Sequence, residues 1–256
     1  HGTASFWVLR SLAQDFSLCI RLYAPQWRSE SLDQAQMPLA LQNRRQGLPL
    51  STEFGKISQD AMKILLISAH PVEDSYNAAL RQTALEALLR SGHEVDHLDL
   101  YAEGFDPVLG REERMGYHEV PSNRIPVETY VTRLQAAEGL VFVFPVWCYG
   151  LPAILKGFFD RVFLPGVTFK LGADGVARPA LTHMKRVVGI TSYGRPWWVA
   201  TFLMGNPPKR QIMNYFRLLT GGRARRSWLA HYDMNRATPA TRQAFLAKVQ
   251  RAMERL

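Results

Sequence analysis

Three short stretches of the sequence combine hydroxyl, imidazole, amide and aromatic side chains in patterns that suit a bound ligand. The first, SAHPVEDSYN, follows an apolar run and offers His70, Ser75, Tyr76 and Asn77. Such donors, with the free backbone N–H groups at the start of a helix, suit a phosphate. The stretch lacks the spacing of a Walker A loop and of G-x-G-x-x-G. Ordinary helix capping by Asp74 or Ser75 is the alternative interpretation.

The other two stretches, FPVWCYGLPA and GITSYGRPWW, also follow apolar runs. Each mixes turn-forming glycine and proline with large rings, such as Trp147 and Tyr149 in the first and Tyr193 in the second. Rings suit the faces of a flat, partly apolar ligand, and backbone N–H groups suit the heteroatoms at its edge. Together with a phosphate site in the first stretch, this combination favours a flavin nucleotide.

The elements that must position these stretches alternate between strand and helix. Apolar and periodic patterns predict strands over 63–68, 94–100, 140–144, 185–190 and 227–232, and helices over 76–90, 127–137, 151–163 and 206–219. A final helix is expected after a Thr238 cap, with Pro239 at its first position. This alternation predicts an α/β fold with a parallel sheet covered on both faces. Ligands of such sheets bind at the carboxyl ends of the strands, where all three stretches are expected.

Composition narrows the class of protein. The chain has 256 residues, 47% of them hydrophobic, which is enough for one large domain. No apolar run reaches the roughly 20 residues that span a bilayer, and no clean signal peptide is present. Cys19 and Cys148 lack the spacing of a disulfide framework or a zinc site, so no metal and a cytoplasmic location are expected.

Positive charge is concentrated in the last part of the chain. The net charge is +9, and twelve Lys and Arg stand against two Asp and Glu from Arg195 onward. The sequence contains no helix-turn-helix, zinc finger or RNP-like run, so we expect no nucleic-acid partner. A basic surface that meets an anionic cofactor, substrates or solvent is the simpler interpretation.

Residues 1–61 differ in composition from the rest of the chain. They are rich in Pro, Gln and Ser and sustain no period, whereas Met62 directly precedes the strand-like run KILLIS. We expect an N-terminal extension over 1–61, poorly structured or non-native, and one functional domain over 62–256. Deleting residues 1–61 should therefore leave folding and activity intact.

A family resemblance is carried by AHPVEDSYNAAL, DLYAEGFDPVL, FPVWCYGLPAILKGFFDRVF and ITSYG, in this order and spacing. These runs resemble the NAD(P)H:quinone oxidoreductase family of flavodoxin-like proteins, which includes the DT-diaphorase type and the ancillary flavoproteins of bacterial potassium-efflux systems. The resemblance runs from about Met62 to the end and is strongest through Phe163. It implies a flavodoxin-like three-layer sandwich with sheet order 2-1-3-4-5. It also implies a homodimer with active sites at the subunit interface, and tightly bound FAD, or FMN as in some relatives.

The resemblance also implies a role for each loop. The residues that match the flavin phosphate and ribityl loop are His70, Ser75, Tyr76 and Asn77. Those that match the loop along the isoalloxazine edge are Pro145, Val146, Trp147, Cys148 and Tyr149. Those that match the loop at the pyrimidine end are Thr191, Ser192, Tyr193 and Gly194. Tyr149 and Tyr193 are the predicted catalytic side chains, and Tyr193 and Arg195 are the candidates to stabilise charge near flavin N1 and O2.

Two of these loops depart from the family pattern. The family has a polar residue at the position of Trp147 and Trp-Phe at the next two positions. It also has Thr-Thr-Gly-Gly where this chain has Thr-Ser-Tyr-Gly. Which aromatic side chain touches the flavin ring therefore stays open at this stage.

The implied activity is two-electron hydride transfer from NAD(P)H through flavin N5 to a quinone or similar flat acceptor, by a ping-pong mechanism. No nucleophilic side chain is needed, so Cys148 is expected to line the pocket. Two alternatives stay open. One is a flavodoxin-type electron carrier, although such carriers are typically acidic. The other is a flavin-binding regulatory subunit of a potassium-efflux transporter, with that membrane protein as its partner.

Overall fold

The structure is a computed structural model that describes residues 61–256. The expectation of an extension over residues 1–61 falls outside these residues, Ala61 excepted, and stays a prediction. Among the residues described, no helix is both long and apolar enough to cross a bilayer.

Within residues 61–256, seven strands form two sheets. They are β1 (Lys63–Ser68), β2 (Glu94–Asp99), β3 (Gly139–Val146), β4 (Phe169–Leu171), β5 (Ala177–Pro179), β6 (Arg186–Tyr193) and β7 (Arg225–His231). The central sheet is parallel, in the order β2-β1-β3-β6-β7. The predicted order 2-1-3-4-5 is confirmed, because β4 and β5 pair only with each other, in an antiparallel hairpin that precedes the fourth sheet strand. The hairpin itself was not predicted.

In the described part of the chain, six α-helices surround the central sheet. They are α1 (Tyr76–Arg90), α2 (Arg111–Met115), α3 (Glu128–Ala136), α4 (Ala153–Val162), α5 (Pro207–Leu219) and α6 (Pro239–Met253). Short 3₁₀ helices cover Ser122–Val127 and Met234–Arg236, and a π-helical turn covers Val199–Leu203. The start of α6 is as predicted: Thr238 and Thr241 form a reciprocal capping box, and Pro239 is in the first turn. The sequence did not predict α2, the 3₁₀ helices or the π-helical turn.

The two faces of the sheet bury separate apolar layers, which confirms the three-layer sandwich. One layer joins alternate strand residues to α1 and α6: Ile64, Leu66, Val141, Val143, Val188, Ile190, Leu80, Leu88, Phe245 and Val249. The other joins the intervening strand residues to α4 and α5 and is rich in rings: Leu65, Ile67, Leu140, Phe142, Phe144, Phe158, Phe159, Phe163 and Phe216. Because both faces are covered, the three central strands, β1, β3 and β6, are almost continuous apolar runs.

Helix α4 lies in direct contact with the connection between β2 and α2. A Cβ atom added at Gly157 would lie 2.1 Å from the Pro107 carbonyl oxygen, so only glycine permits this approach. Nearby, Arg161 forms an ion pair with Glu113, and its guanidinium also donates to the Asp106 carbonyl at 2.5 Å. These contacts fix the long connection against the helix that follows the predicted aromatic loop.

Candidate functional site

The structure brings the three loops singled out in the sequence to one edge of the molecule. They follow β1, β3 and β6, which are neighbours in the centre of the sheet. The Ala69 N–H donates to the Val143 carbonyl at 3.0 Å, and Val146 is paired in register with Tyr193. The site is therefore assembled by the sheet topology, at the carboxyl ends of the strands.

His70, in the loop after β1, is oriented by its own loop. His70 Nδ1 lies 3.1 Å from both the N–H and the carbonyl oxygen of Val72, and 2.9 Å from the Ser75 hydroxyl. Burial lowers the pKa of His70, which favours the neutral ring. A neutral imidazole that accepts at Nδ1 carries its proton on Nε2. In that tautomer, His70 would donate one hydrogen bond from Nε2 to an anionic ligand.

The start of α1 combines capping with an unsatisfied polar group. Ser75 Oγ accepts from the Ala78 N–H at 3.2 Å, so the capping role considered from the sequence is present. The Asn77 side chain is buried, and its Nδ2 finds no partner among the residues described. An unpaired buried amide costs free energy. The Asn77 Nδ2 group is therefore a candidate to donate a hydrogen bond to a ligand.

Two further residues, His231 and Arg242, complete this side of the site and were missed in the sequence. The Tyr76 hydroxyl lies 2.8 Å from His231 Nδ1, and the His231 ring stacks on Phe245 with centroids 5.0 Å apart. Burial raises the pKa of Tyr76 and lowers the pKa of His231, and the positive charge of Arg242 lowers both.

The position of Arg242 in the sequence, near the start of the last predicted helix, could have pointed to this side of the site. It stands in the first turns of α6, where the structure shows no acidic residue. The helix dipole makes this end of a helix positive, so acidic side chains are favoured there and cations are not. Arg242 therefore adds positive charge to the already positive end of α6, which would attract an anionic ligand.

The loop after β3 forms a tight turn with unusual backbone geometry. The Gly150 N–H donates to the Trp147 carbonyl at 2.8 Å, and Cys148 and Tyr149 between them have φ of 48° and 58°. Turns of this left-handed kind normally use Asn-Gly. Two non-glycine residues here cost about 1–3 kcal/mol each, and such strain clusters at functional sites.

This turn also joins the first loop through its rings. Trp147 is 37% exposed, and its ring lies 5.8 Å from that of His70, tilted by 51°. Cys148 is exposed as well. Pro145 and Val146 are the last residues of β3 and pair with Ser192 and Tyr193 of β6. The exposed Trp147 ring therefore follows the strand directly. The turn therefore presents aromatic surface to solvent at the end of the central strand.

The loop after β6 is held by a buried network around Tyr193. The Tyr193 hydroxyl donates to Asn206 Oδ1 at 2.6 Å, and Asn206 Nδ2 donates to the Tyr232 hydroxyl at 3.4 Å. The Tyr193 and Tyr232 rings stack with centroids 4.6 Å apart. Burial raises the pKa of Tyr193, which keeps the hydroxyl protonated. Its predicted catalytic role stays a prediction, and in this structure the hydroxyl is engaged inside the protein.

Thr191 and Gly194 complete the third loop. Thr191 is fully buried, and its Oγ1 finds no partner in the described part of the chain. The Gly194 carbonyl accepts from the Asn235 N–H at 3.3 Å, which ties this loop to the segment after β7. A flavin fits this arrangement, because its ribityl hydroxyls and ring heteroatoms would supply partners for the orphaned Asn77 and Thr191 atoms.

A cleft of about 610 Å³ lies elsewhere, between α4 and α5. Its lining includes Tyr117, Phe159, Tyr215 and Arg210, and none of the predicted site residues. This cleft is therefore separate from the loops at the sheet edge. Within residues 61–256, no group of three or more His, Cys, Asp or Glu could hold a metal ion.

Comparison with known proteins places this geometry in a family. A family model described as Flavodoxin-like fold matches residues 62–252. The chain belongs to this flavodoxin-like family. The FMN-dependent NADH:quinone oxidoreductase of Macrococcus caseolyticus is 31% identical over 176 residues, which are 60% of this chain and 81% of the relative. The resemblance to quinone oxidoreductases found in the sequence is thereby confirmed.

Two other proteins are similar to this chain, a second quinone dehydrogenase and a solved structure. NAD(P)H dehydrogenase (quinone) 1 of Cavia porcellus is 35% identical over 148 residues, which are 52% of this chain and 54% of that protein. The chain thus spans about half the length of this curated relative. The crystal structure of Smu.1420 from Streptococcus mutans is 29% identical and covers 76% of this chain and 100% of its own, with a TM-score of 0.65.

Proposed function

We propose that this protein is a flavin-dependent NAD(P)H:quinone oxidoreductase. The flavin supplies two-electron hydride transfer through N5, from NAD(P)H to a quinone or similar flat acceptor that uses the same place in turn, by a ping-pong mechanism. The observation that carries the proposal is the strained turn between Trp147 and Gly150, which exposes aromatic surface at the end of the central strand. The orphaned polar atoms of Asn77 and Thr191 at the same edge support it.

The first loop and α6 are proposed to hold the phosphate end. His70 Nε2–H and the Asn77 amide would donate to phosphate and ribityl oxygens, Ser75 and Tyr76 would keep this loop in place, and Arg242 would neutralise negative charge. We propose FAD, since donors on two separate elements suit a diphosphate. FMN is the alternative, because the Macrococcus caseolyticus relative is named as FMN-dependent.

The other two loops are proposed to hold the ring. Trp147 or Tyr149 would lie along it, with Pro145, Val146 and Cys148 shaping the wall. Backbone N–H groups of the loop 191–194 would meet its polar edge. The exposed Arg195 guanidinium would offset the charge that develops near N1 and O2 on reduction. Because the Tyr193 hydroxyl donates to Asn206, we propose that Tyr193 acts by positioning this loop.

The resemblance supports two further proposals about the intact protein. One is a homodimer whose active sites include both subunits, and the other is a cytoplasmic location. Sedimentation of the flavin-loaded protein would test the first: a dimer mass is expected. A monomer with full turnover would contradict the shared site.

The decisive experiment is to purify the full chain with added flavin and record its visible spectrum. We expect a yellow protein that is bleached by NADH or NADPH without oxygen and recovers its colour on addition of a quinone. Chromatography of the released flavin separates FAD from FMN. A colourless protein that takes up no flavin would overturn the proposal. Stable accumulation of a one-electron-reduced form would favour the electron carrier instead.

A further inference from the structure

His231 connects the first loop to α6 and to the third loop. Its Nδ1 lies 2.8 Å from the Tyr76 hydroxyl of α1, and the two rings meet edge to face with centroids 5.5 Å apart. Its ring also stacks on Phe245 of α6, with centroids 5.0 Å apart and an angle of 20° between the planes. Within the sheet it pairs in register with Ser192 of β6. One buried imidazole therefore contacts three of the elements that border the candidate site.

The charge that acts on His231 is positive. Burial lowers the pKa of this ring, and the positive charge of Arg242 on α6 lowers it further. Tyr76 faces the ring from α1 and is uncharged, and Lys248 Nζ lies 5.9 Å from the centroid of the Phe245 ring. Among residues 61–256, no carboxylate forms an ion pair with His231, although Asp233 is two residues away. A protonated His231 would therefore have no anionic partner within the described chain.

We infer that His231 is a positioning residue of the proposed cofactor site, and that it takes up a proton when the phosphate groups of the cofactor bind beside Arg242. The identity of this anion rests on the proposed function. An anion paired with Arg242 offsets the repulsion between the guanidinium and a protonated imidazole, and it attracts the imidazolium itself. The ring is thus neutral in the free protein and becomes charged when negative charge arrives.

Protonation would also reverse the hydrogen bond between His231 and Tyr76. While His231 Nδ1 carries no proton, the Tyr76 O–H donates to it at 2.8 Å. An imidazolium has a proton on both nitrogens, so Nδ1–H would donate to the Tyr76 oxygen instead. Tyr76 keeps its own proton, since burial raises its pKa. Its O–H would then be free to donate to a phosphate oxygen, so that His231 acts on the cofactor through Tyr76.

Affinity for the phosphate end should increase as the pH falls. Because anion binding favours the protonated ring, protonation favours anion binding by the same factor. The increase occurs between the pKa of His231 in the free protein and its higher pKa in the complex. His70 is proposed to donate to the same phosphate, so its titration adds to the total. The contribution of His231 is the difference between the unaltered protein and His231→Gln.

The first measurement follows the histidine ring signals of the full chain by NMR as the pH changes. Sodium sulfate is the flavin-free probe, because this divalent anion does not titrate near neutrality, and sodium chloride of equal ionic strength is the blank. We expect the pKa of His231 to lie below 6.5 in chloride and to rise by about 1 in sulfate or with FAD. His93, which accepts from the Met62 N–H at the opposite end of the sheet, should titrate equally in all three.

The His231 signal is assigned by its loss in His231→Gln. If that variant does not fold, the altered signal in Tyr76→Phe assigns the ring. The second measurement is the dissociation constant of FAD, whose diphosphate does not titrate near neutrality. A rise of about 1 in the pKa makes binding about fivefold tighter at pH 5.5 than at pH 8. His231→Gln still offers an acceptor to the Tyr76 O–H but takes up no proton, so its ratio should be about fivefold smaller.

Several results would overturn the inference. These are a His231 pKa that stays unchanged or falls in both sulfate and FAD, an equal rise at His93, or the full pH dependence of FAD binding in folded His231→Gln. None of them affects the proposed function if NADPH still bleaches the bound flavin. A protein that binds no FAD, but whose His231 pKa rises in sulfate, would refute the function and retain the proton-linked anion site. Circular dichroism at pH 5.5 shows that the comparison concerns folded protein.

Discussion

Cys148 and Tyr149 keep a backbone conformation that glycine and asparagine adopt at far lower cost. Cys148 and Tyr149 therefore occupy turn positions at which Asn and Gly would be more stable. The sequence located this turn, because two rings among proline and glycine directly after a buried strand are unusual. It did not predict the left-handed geometry, since neither residue type normally adopts it. The structure shows this geometry, together with the hydrogen bond from the Gly150 N–H to the Trp147 carbonyl that closes the turn.

Relieving this strain should separate stability from activity. The double variant Cys148→Asn, Tyr149→Gly is expected to raise the free energy of unfolding by about 1–2 kcal/mol, because the new pair suits the turn. Its quinone reduction should fall, because the Tyr149 ring is gone. Urea denaturation and steady-state turnover measure the two effects. Cys148→Ser is the control and should retain hydride transfer. If this variant binds flavin fully but transfers no hydride, the pocket-lining role of the cysteine is refuted.

The Tyr193 hydroxyl offers a second test at the scale of single residues. Tyr193→Phe should lower the free energy of unfolding by about 1–3 kcal/mol, because the buried Asn206 oxygen loses its donor. Tyr232→Phe should cost less, since the Asn206 amide reaches that hydroxyl at a longer distance, 3.4 Å. Flavin potential should change little in Tyr193→Phe if the side chain only positions its loop. A large shift in potential would instead support the catalytic role that the resemblance implied.

At the scale of elements, long apolar strands and capped helices were predictable and short irregular elements were not. The three central strands, β1, β3 and β6, are buried on both faces, which leaves a strong apolar signal in the sequence. The hairpin of β4 and β5 has only three residues per strand, and its Leu171 and Val176 are exposed, so no apolar pattern marks it. His231 was missed because its partner Tyr76 is 155 residues away, and no local pattern connects them.

The contact between α4 and the preceding connection can be tested at Gly157. Gly157→Ala should lower the free energy of unfolding by at least about 2 kcal/mol, because its Cβ would overlap the Pro107 backbone. Gly116→Ala is the matched control. Its Cβ would meet the Glu112 oxygen at an ordinary 3.7 Å, so a change within about 0.5 kcal/mol is expected. Chemical denaturation of both variants measures the difference, and equal effects would contradict the close approach.

The whole domain should lose stability in mild acid. Burial lowers the pKa of His70, His93, His97 and His231, so the folded protein binds fewer protons at these rings than the unfolded chain does. The free energy of unfolding is therefore not reduced by these rings above the unfolded pKa of about 6.5. It decreases as the pH falls from that value toward the folded pKa values. The slope is at most about 1.4 kcal/mol per pH unit for each ring, reduced where solvent reaches it.

Urea denaturation between neutral and mildly acidic pH measures this slope. His97→Gln should flatten it, although the variant also loses the contact of 3.1 Å between the ring and Ser68 Oγ. Greater stability in acid than at neutral pH would show that other groups dominate the titration.

The hydrogen bond between Tyr76 and His231 also determines when the site can form during synthesis. The first loop is synthesised before β7 and α6, which carry its partners, and His231 follows Tyr76 by 155 residues. Domains fold as units while the chain emerges, so a nascent chain that ends before Arg225 holds the first loop without its partners. Capture of the proposed cofactor at this loop is therefore expected only after β7 and α6 have been synthesised, and the earlier stages of folding proceed without help from the ligand.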